Sequence, residues 1–271
     1  MTGSAAAAVL AQPAVAGEPR WQTPIGIAAD QYQATSDGLV ARGYRLVHVD
    51  AYAVGTSPQF AAIWDQGPGP AWSQRRDLTA EDLQAALADA GRQGRRLRRL
   101  CGYEIAGQAR YAALWTDGAG PDQQARFGLT MDQYHRAFGQ LTNDDYRLVW
   151  VRGYSVADVP YFAAIFEKDF GPDFIARHGL DAAAYQAAMA DAMARTYRLR
   201  HVCGYVAGGA PCFAAIWEYG QGPAWQARYN LTLDQLTKTS AEMAGQGYRL
   251  FDVSGYGLGA AAYYAAIWIN D

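Results

Sequence analysis

What the sequence lacks narrows it first. It has no excess of basic charge: 23 Lys and Arg stand against 26 Asp and Glu, for a net charge of −3. Nucleic acid binding draws on clustered cations that neutralise phosphates, so no nucleic-acid partner is expected. No apolar run reaches the roughly 18–20 residues that a helix needs to cross a bilayer, so no membrane span is expected. The four histidines are scattered, and the three cysteines form no C-x-x-C pair. That leaves no ligand set for a structural zinc ion, and neither a metal nor a cofactor is expected. There is no G-x-S-x-G elbow, and no Ser or Thr stands three residues before a Lys. H-E-x-x-H, the Walker loop and the dinucleotide fingerprint are missing as well. No residue is assigned a catalytic role.

The cysteines are Cys101, Cys203 and Cys212. The last two flank one hairpin turn. A two-residue loop at Ala207-Gly208 would set them opposite each other and allow a disulfide; a longer loop would not.

Hydrophobic residues make up 51% of the chain, which suits a folded protein, and Tyr (18) and Trp (8) are abundant. The first residues differ from the rest. MTGSAAAAVLAQPAVAGEPR is Ala-rich and carries an A-x-A-like step at Ala14-Val15-Ala16. It reads as the remnant of a signal peptide, implying a secreted or cell-surface protein, or as a disordered leader on a cytoplasmic one.

From there one phrase recurs. GYRLVHVDAY (43–52) returns as GRRLRRLCGY, DYRLVWVRGY, TYRLRHVCGY and GYRLFDVSGY, each 51 residues after the last. Trp64, Trp115, Phe166, Trp217 and Trp268 keep the same step, as do Pro19, Pro70, Pro121, Pro172 and Pro223. The chain therefore divides into a leader, 1–18, and one repeat domain, 19–271. Its units are 19–69, 70–120, 121–171, 172–222 and 223–271. Each unit reads as a Gly/Pro loop, a helix and two strands joined by a short turn. Thr130 with Gln133, and Thr232 with Gln235, have capping-box spacing. Tyr134, Phe138 and Leu141 form one helical stripe. A lone hairpin is marginal in water, so the units must stack. The expected fold is α+β: five helix–hairpin repeats forming a curved antiparallel sheet, a half- or partly closed barrel, with helices on the outer face.

Strict alternation along the first strand puts Arg45, Val47, Val49 and Ala51 on one face, which should meet the helices together with Ala61 and Ile63. The other face begins with Tyr44 and Leu46. It then carries two positions that change in every unit: His48, Arg99, Trp150, His201 and Asp252, and Asp50, Cys101, Arg152, Cys203 and Ser254. Varied residues on a constant scaffold mark a binding surface. The candidate contacts are His48, Asp50, Arg99, Trp150, Arg152, His201, Asp252 and Ser254, rimmed by Tyr52, Tyr154 and Tyr205. His201, Asp252 and Ser254 also supply the residue types of a hydrolytic triad. Arg45 and its four equivalents are expected to bond helix carbonyls or carboxylates between units.

The phrases GYRL–V–GY, YAAIW or FAAIW, GPAWQAR and LT–DQY resemble the bacterial tandem-repeat domain, a module also found at the N-terminal side of polyglycine hydrolases. The resemblance implies a recognition or scaffolding repeat, often exported and often beside a β-lactamase-like hydrolase. The Ser-x-x-Lys of such a hydrolase does not occur here. The first reading is thus an exported, non-enzymatic protein that binds a peptide, glycan or protein through the helix-free sheet face. The second is self-assembly into a homo-oligomer or filament through exposed array ends. The third is a hydrolase that uses the polar face.

Overall fold

The structure is a computed structural model and describes residues 20–271. The expected leader, 1–18, lies outside the described residues. Repeat 1 runs β1 (Trp21–Gln22), β2 (Ile25–Ala28), α1 (Ala29–Ala41), β3 (Arg45–Val54) and β4 (Ser57–Asp65). Repeat 2 holds β5 (Trp72–Leu78), α2 (Ala80–Arg92), β6 (Arg95–Ile105) and β7 (Gln108–Asp117). Repeat 3 holds β8 (Gln123–Leu129), α3 (Met131–Asn143), β9 (Arg147–Val156) and β10 (Val159–Glu167). Repeat 4 holds β11 (Phe174–Leu180), α4 (Ala182–Ala194), β12 (Tyr197–Ala207) and β13 (Ala210–Tyr219). Repeat 5 holds β14 (Ala224–Leu231), α5 (Leu233–Gly245), β15 (Arg249–Leu258) and β16 (Ala261–Asn270). Among the described residues no helix is long and apolar enough to cross a membrane.

Local chemistry sets the helices. Thr79, Thr130 and Thr232 cap α2, α3 and α5 with reciprocal boxes, and Asp181 caps α4; only α1, entered from Ala28, has no side-chain cap. Every helix is left through one residue with positive φ: Gly43, Gly94, Asp145, Thr196 and Gly247. The left-handed step frees the chain to turn back into the sheet. The expected stripe holds in α3, where Tyr134 and Leu141 are buried and Phe138 packs beside them.

The five hairpins are present, but each gains a third strand. The Gly/Pro stretch read as a loop ends in a strand that pairs with the far side of the hairpin, in the order β5-β7-β6 and its equivalents. Arg and Gln interleaved with apolar residues suit such an outer edge, where side chains alternate between core and water. The hairpins do not share one continuous ladder. Each repeat forms its own three-stranded sheet, extended in repeat 1 by β1.

The innermost strands touch in cyclic order, β3 to β6, β9, β12 and β15, and β15 then packs on β3. The five sheets therefore stand around a common axis as a closed ring, held between repeats by side chains. Among the described residues the last repeat thus packs on the first. The helix-bearing face of one repeat meets the bare face of the next. In the largest core cluster, Leu46, Val49, Phe60 and Trp64 of repeat 1 join Leu114 and Ala112 of repeat 2. Trp72 closes the same junction against Trp64, ring centroids 5.6 Å apart.

A bulge in every inner strand corrects the expected faces. The register slips between Leu46 and His48, and at the same point in the other four repeats. The extra residue reverses the alternation. Leu46 consequently sits opposite Trp64 on the helix side, whereas His48 sits opposite Ile63 and Asp50 opposite Ala61 on the bare side. Ala61 and Ile63 pack not on their own helix but against repeat 5.

The disulfide is not formed, and all three cysteines are free. The turn falls at Gly208-Gly209, both at positive φ, one residue later than the bridging loop would require. That moves the register by two, so Cys203 faces Ala214 and Cys212 faces Tyr205.

Candidate functional site

Bulge and ring closure together aim the two variable positions at the axis, where they form two stacked layers of five residues. In the first layer each member touches the next. Arg99 Nε donates to His48 Nδ1 at 3.2 Å. The Arg99 guanidinium lies 4.6 Å from the centre of the Trp150 ring, and Trp150 lies 4.0 Å from His201. His201 Nδ1 is 2.8 Å from Asp252 Oδ2, and Asp252 Oδ1 is 3.4 Å from His48 Nδ1. The circle is closed.

The second layer depends on one ion pair across the ring. Arg152 meets Asp50 through Nη2 and donates from Nη1 to Ser254 Oγ and from Nη2 to Gly255 O. Cys101 and Cys203 fill the remaining places. All of these groups are buried except Arg99, which is half-buried.

The reason for these side chains lies in the backbone beside them. Inner strands of neighbouring repeats share no ladder, so their inward N–H and C=O groups need other partners. The variable residues supply them across each junction. His48 Nε2 reaches Val253 O at 2.8 Å, Trp150 Nε1 donates to Leu100 O at 2.9 Å, and His201 Nε2 reaches Val151 O at 2.7 Å. Asp252 accepts from Val202 N, Ser254 from Gly204 N, Cys203 from Gly153 N and Asp50 from Gly255 N. Cys101 Sγ donates to Val49 O.

Protonation follows from the same contacts. His48 offers Nε2–H to a carbonyl and accepts at Nδ1, which is the neutral tautomer. Burial drives its pKa down to about 3, with Arg99 acting in the same direction and Asp252 opposing. His201 meets a carbonyl at one nitrogen and a carboxylate at the other. Burial would raise Asp252, but His201, His48 and the Val202 N–H hold its carboxyl below the usual range. Burial pushes Asp50 up to about 6, against Arg152 and the Gly255 N–H.

The rimming tyrosines are buried too, and they explain the Gly-Tyr that ends the phrase in four of the five repeats. A Cβ on Gly153 would come within 2.5 Å of the Tyr205 ring, and one on Gly204 within 2.3 Å of Tyr256. Gly102 makes the same room for Tyr154, and Gly255 for Tyr52. Each glycine thus receives the next repeat's tyrosine. The hydroxyls then reach the outer strand or its neighbours: Tyr205 accepts from Gly179 N at 3.0 Å, and Tyr52 meets Tyr264 at 2.8 Å.

The expected contacts are therefore gathered at one place, but inside the ring and not on an open face. The hydrolytic set is split. His201 and Asp252 are paired in the first layer, whereas Ser254 lies in the second, bonded to Gly204 N and Arg152. Among the described residues no three His, Cys, Asp or Glu converge as a metal site.

What remains open is an axial pocket of about 330 Å³ at the hairpin end of the ring. Arg152 forms its floor, Gly102, Gly153, Gly204, Gly255 and the tyrosines its wall, and Glu104, Ser155 and Asp158 part of its mouth. Sequence reading missed it, because its wall is mostly glycine backbone contributed by separate repeats. At the opposite end Arg45, Arg96 and Arg147 clamp Asp65, Glu167 and Glu218; the last two pairs join successive repeats, as expected of these arginines. Their carbonyl partners are Gly67, Pro121 and Pro172 in loops, not helix ends.

Such a molecule is a closed scaffold of five equivalent repeats with a pocket on its axis. The chain belongs to the family described as polyglycine hydrolase-like, structural repeat, whose model matches at residues 18–67, 69–117, 120–169, 171–219 and 222–271. No curated protein matches it.

Proposed function

We propose that the chain is an exported, non-catalytic recognition module. It takes a narrow, neutral polar group, a sugar residue or the end of a peptide, into the axial pocket. The observation that carries this reading is the pocket. It is contributed by all five repeats and is of a size that suits one small ligand. Its floor offers both a donor and an acceptor, through Arg152 and the Gly255 backbone, while Asp50 cancels the Arg152 charge. A neutral floor favours hydroxyls and amides over a free anion. The acids at the mouth, Glu104 and Asp158, disfavour anionic ligands further.

The binding groups of the first reading are retained with altered roles. Arg152 would form the floor, Tyr52, Tyr154 and Tyr205 the wall, and Asp50, Ser254, His48, Arg99, Trp150, His201 and Asp252 the support beneath. The test is titration of neutral oligosaccharides and short peptides followed by NMR. Shifts should centre on Gly102, Gly153, Gly204 and Gly255, and Val206→Trp at the mouth should abolish them without lowering the melting temperature. Shifts confined to the helices would overturn the reading.

Export rests on the Ala14-Val15-Ala16 pattern. Fractionation and N-terminal sequencing should find the chain outside the cell, beginning at Gly17. A cytoplasmic chain that retains its leader would contradict export.

A further inference from the structure

The four histidines, scattered in sequence, stand as two pairs in the ring. His48 and His201 lie at the axis. The other pair sits at the periphery, where α3 of repeat 3 meets β11 of repeat 4. There Nε2 of His135 and Nε2 of His178 are 2.5 Å apart, with ring centroids separated by 4.4 Å. His135 is exposed and free to swing, whereas His178 is half-buried. Tyr134 fixes the His178 ring edge-on at 4.7 Å, and Phe162 does so at 5.8 Å.

Other repeats show what this junction needs for packing alone. The same two positions, 43 residues apart, hold Gln33 and Arg76, Gln84 and Phe127, and Gln186 and Tyr229. Gln186 and Tyr229 join by a hydrogen bond of 2.9 Å, so this contact between repeats is made without imidazole. Of these four junctions, only that of repeats 3 and 4 brings two imidazole nitrogens onto one point.

We propose that His135 and His178 form a two-imidazole site for a divalent late transition ion, Zn²⁺, Ni²⁺ or Cu²⁺, which clasps repeats 3 and 4. Imidazole nitrogen is a preferred ligand of these ions. Two nitrogens each about 2.0–2.1 Å from a tetrahedral ion stand ~3.3 Å apart, so the pair has to open by less than about one ångström. Rotation of the exposed His135 supplies that. Water completes the coordination, and the ion is therefore exchangeable, unlike one in a closed four-ligand site.

The test is calorimetric titration of the full chain with zinc chloride, beside His135→Gln and His178→Phe. Each replacement is what repeat 2 carries at that position, Gln84 and Phe127, so packing is preserved. The expected result is one ion per chain, bound at least about tenfold more weakly by either variant. The melting temperature should rise with zinc in the parent and not in the variants. Imidazole NMR of the parent chain gives a readout that needs no variant: zinc should shift His135 and His178 and leave His48 and His201 in place. No uptake by the parent, equal uptake by both variants, or unshifted His135 and His178 resonances would each overturn the site.

Discussion

The two axial layers lie two residues apart on the same five strands, yet they close the ring by different means. The first is a circle of neighbours in which a cation, two imidazoles, an indole and a carboxylate each touch the next. The second rests on one ion pair that reaches from repeat 1 to repeat 3, with cysteines and a serine filling the spaces. A circle distributes its charge, and a lost member leaves neighbours that already have other partners. A single buried pair has no such reserve. Loss of one member leaves the other ion in low dielectric with nothing to compensate it.

The largest effect is therefore expected in the second layer. Arg152→Met should lower unfolding free energy by about 3–5 kcal/mol, because it strands the Asp50 carboxylate. Asp50→Asn added to Arg152→Met should recover part of that loss. Urea denaturation measures both, and a loss below about 1 kcal/mol would mean that the two layers do not differ as described.

The first layer should reveal itself through acid. The folded pKa of His48 lies near 3, below the reference value of 6.5. Its contribution is thus fully present above pH 6.5 and is lost as pH falls towards 3. Asp50 runs the opposite way. Its folded value of about 6 lies above 3.8, so its unfavourable contribution develops as pH rises through that interval. The stability difference between the parent and His48→Gln should shrink on acidification by at most about 1.4 kcal/mol per pH unit. A difference that is flat with pH would contradict a neutral, buried His48.

The contact between Gly153 and Tyr205 comes next. Gly153→Ala should cost about 1–3 kcal/mol, because the methyl meets the Tyr205 ring at 2.5 Å. Repeat 1 carries Ala51 at the equivalent position. Ala51→Gly should therefore change stability far less, and equal effects at the two sites would break the comparison. The smallest expected change is a gain. Ala28→Asp gives α1 the cap that the other four helices have and should add about 0.5–1 kcal/mol in thermal or chemical melts.

Much of the repeat was legible because its signals are local. The 51-residue step, the capping boxes at Thr130 and Thr232 and the hairpin turns all arise within a few residues of one another. The identity of the axial positions was legible too, since they vary within a largely constant phrase. Their orientation was not. A one-residue bulge at Val47 and its equivalents reverses the alternation, and nothing in the composition of the strand announces it. Ring closure was hidden for another reason. It depends on contacts such as His48 with Val253, which lie 205 residues apart and carry no periodic trace. The outer strands were read as loops because Pro and Gly precede them and their polar residues face water. The pocket stayed invisible because backbone from several repeats, and no motif, builds it.

Closure of the ring is the central claim, and the amide of Gly255 tests it most directly. That N–H donates to Asp50 Oδ2 at 2.7 Å, joining the fifth repeat to the first. Native-state hydrogen exchange should find it as protected as Gly204 N–H, which makes the equivalent bond to Ser254 within the array. Asp50→Ala should then speed Gly255 more than Gly204. Exchange of Gly255 near the rate of a free amide, with Gly204 still protected, would mean an open array and would contradict the account.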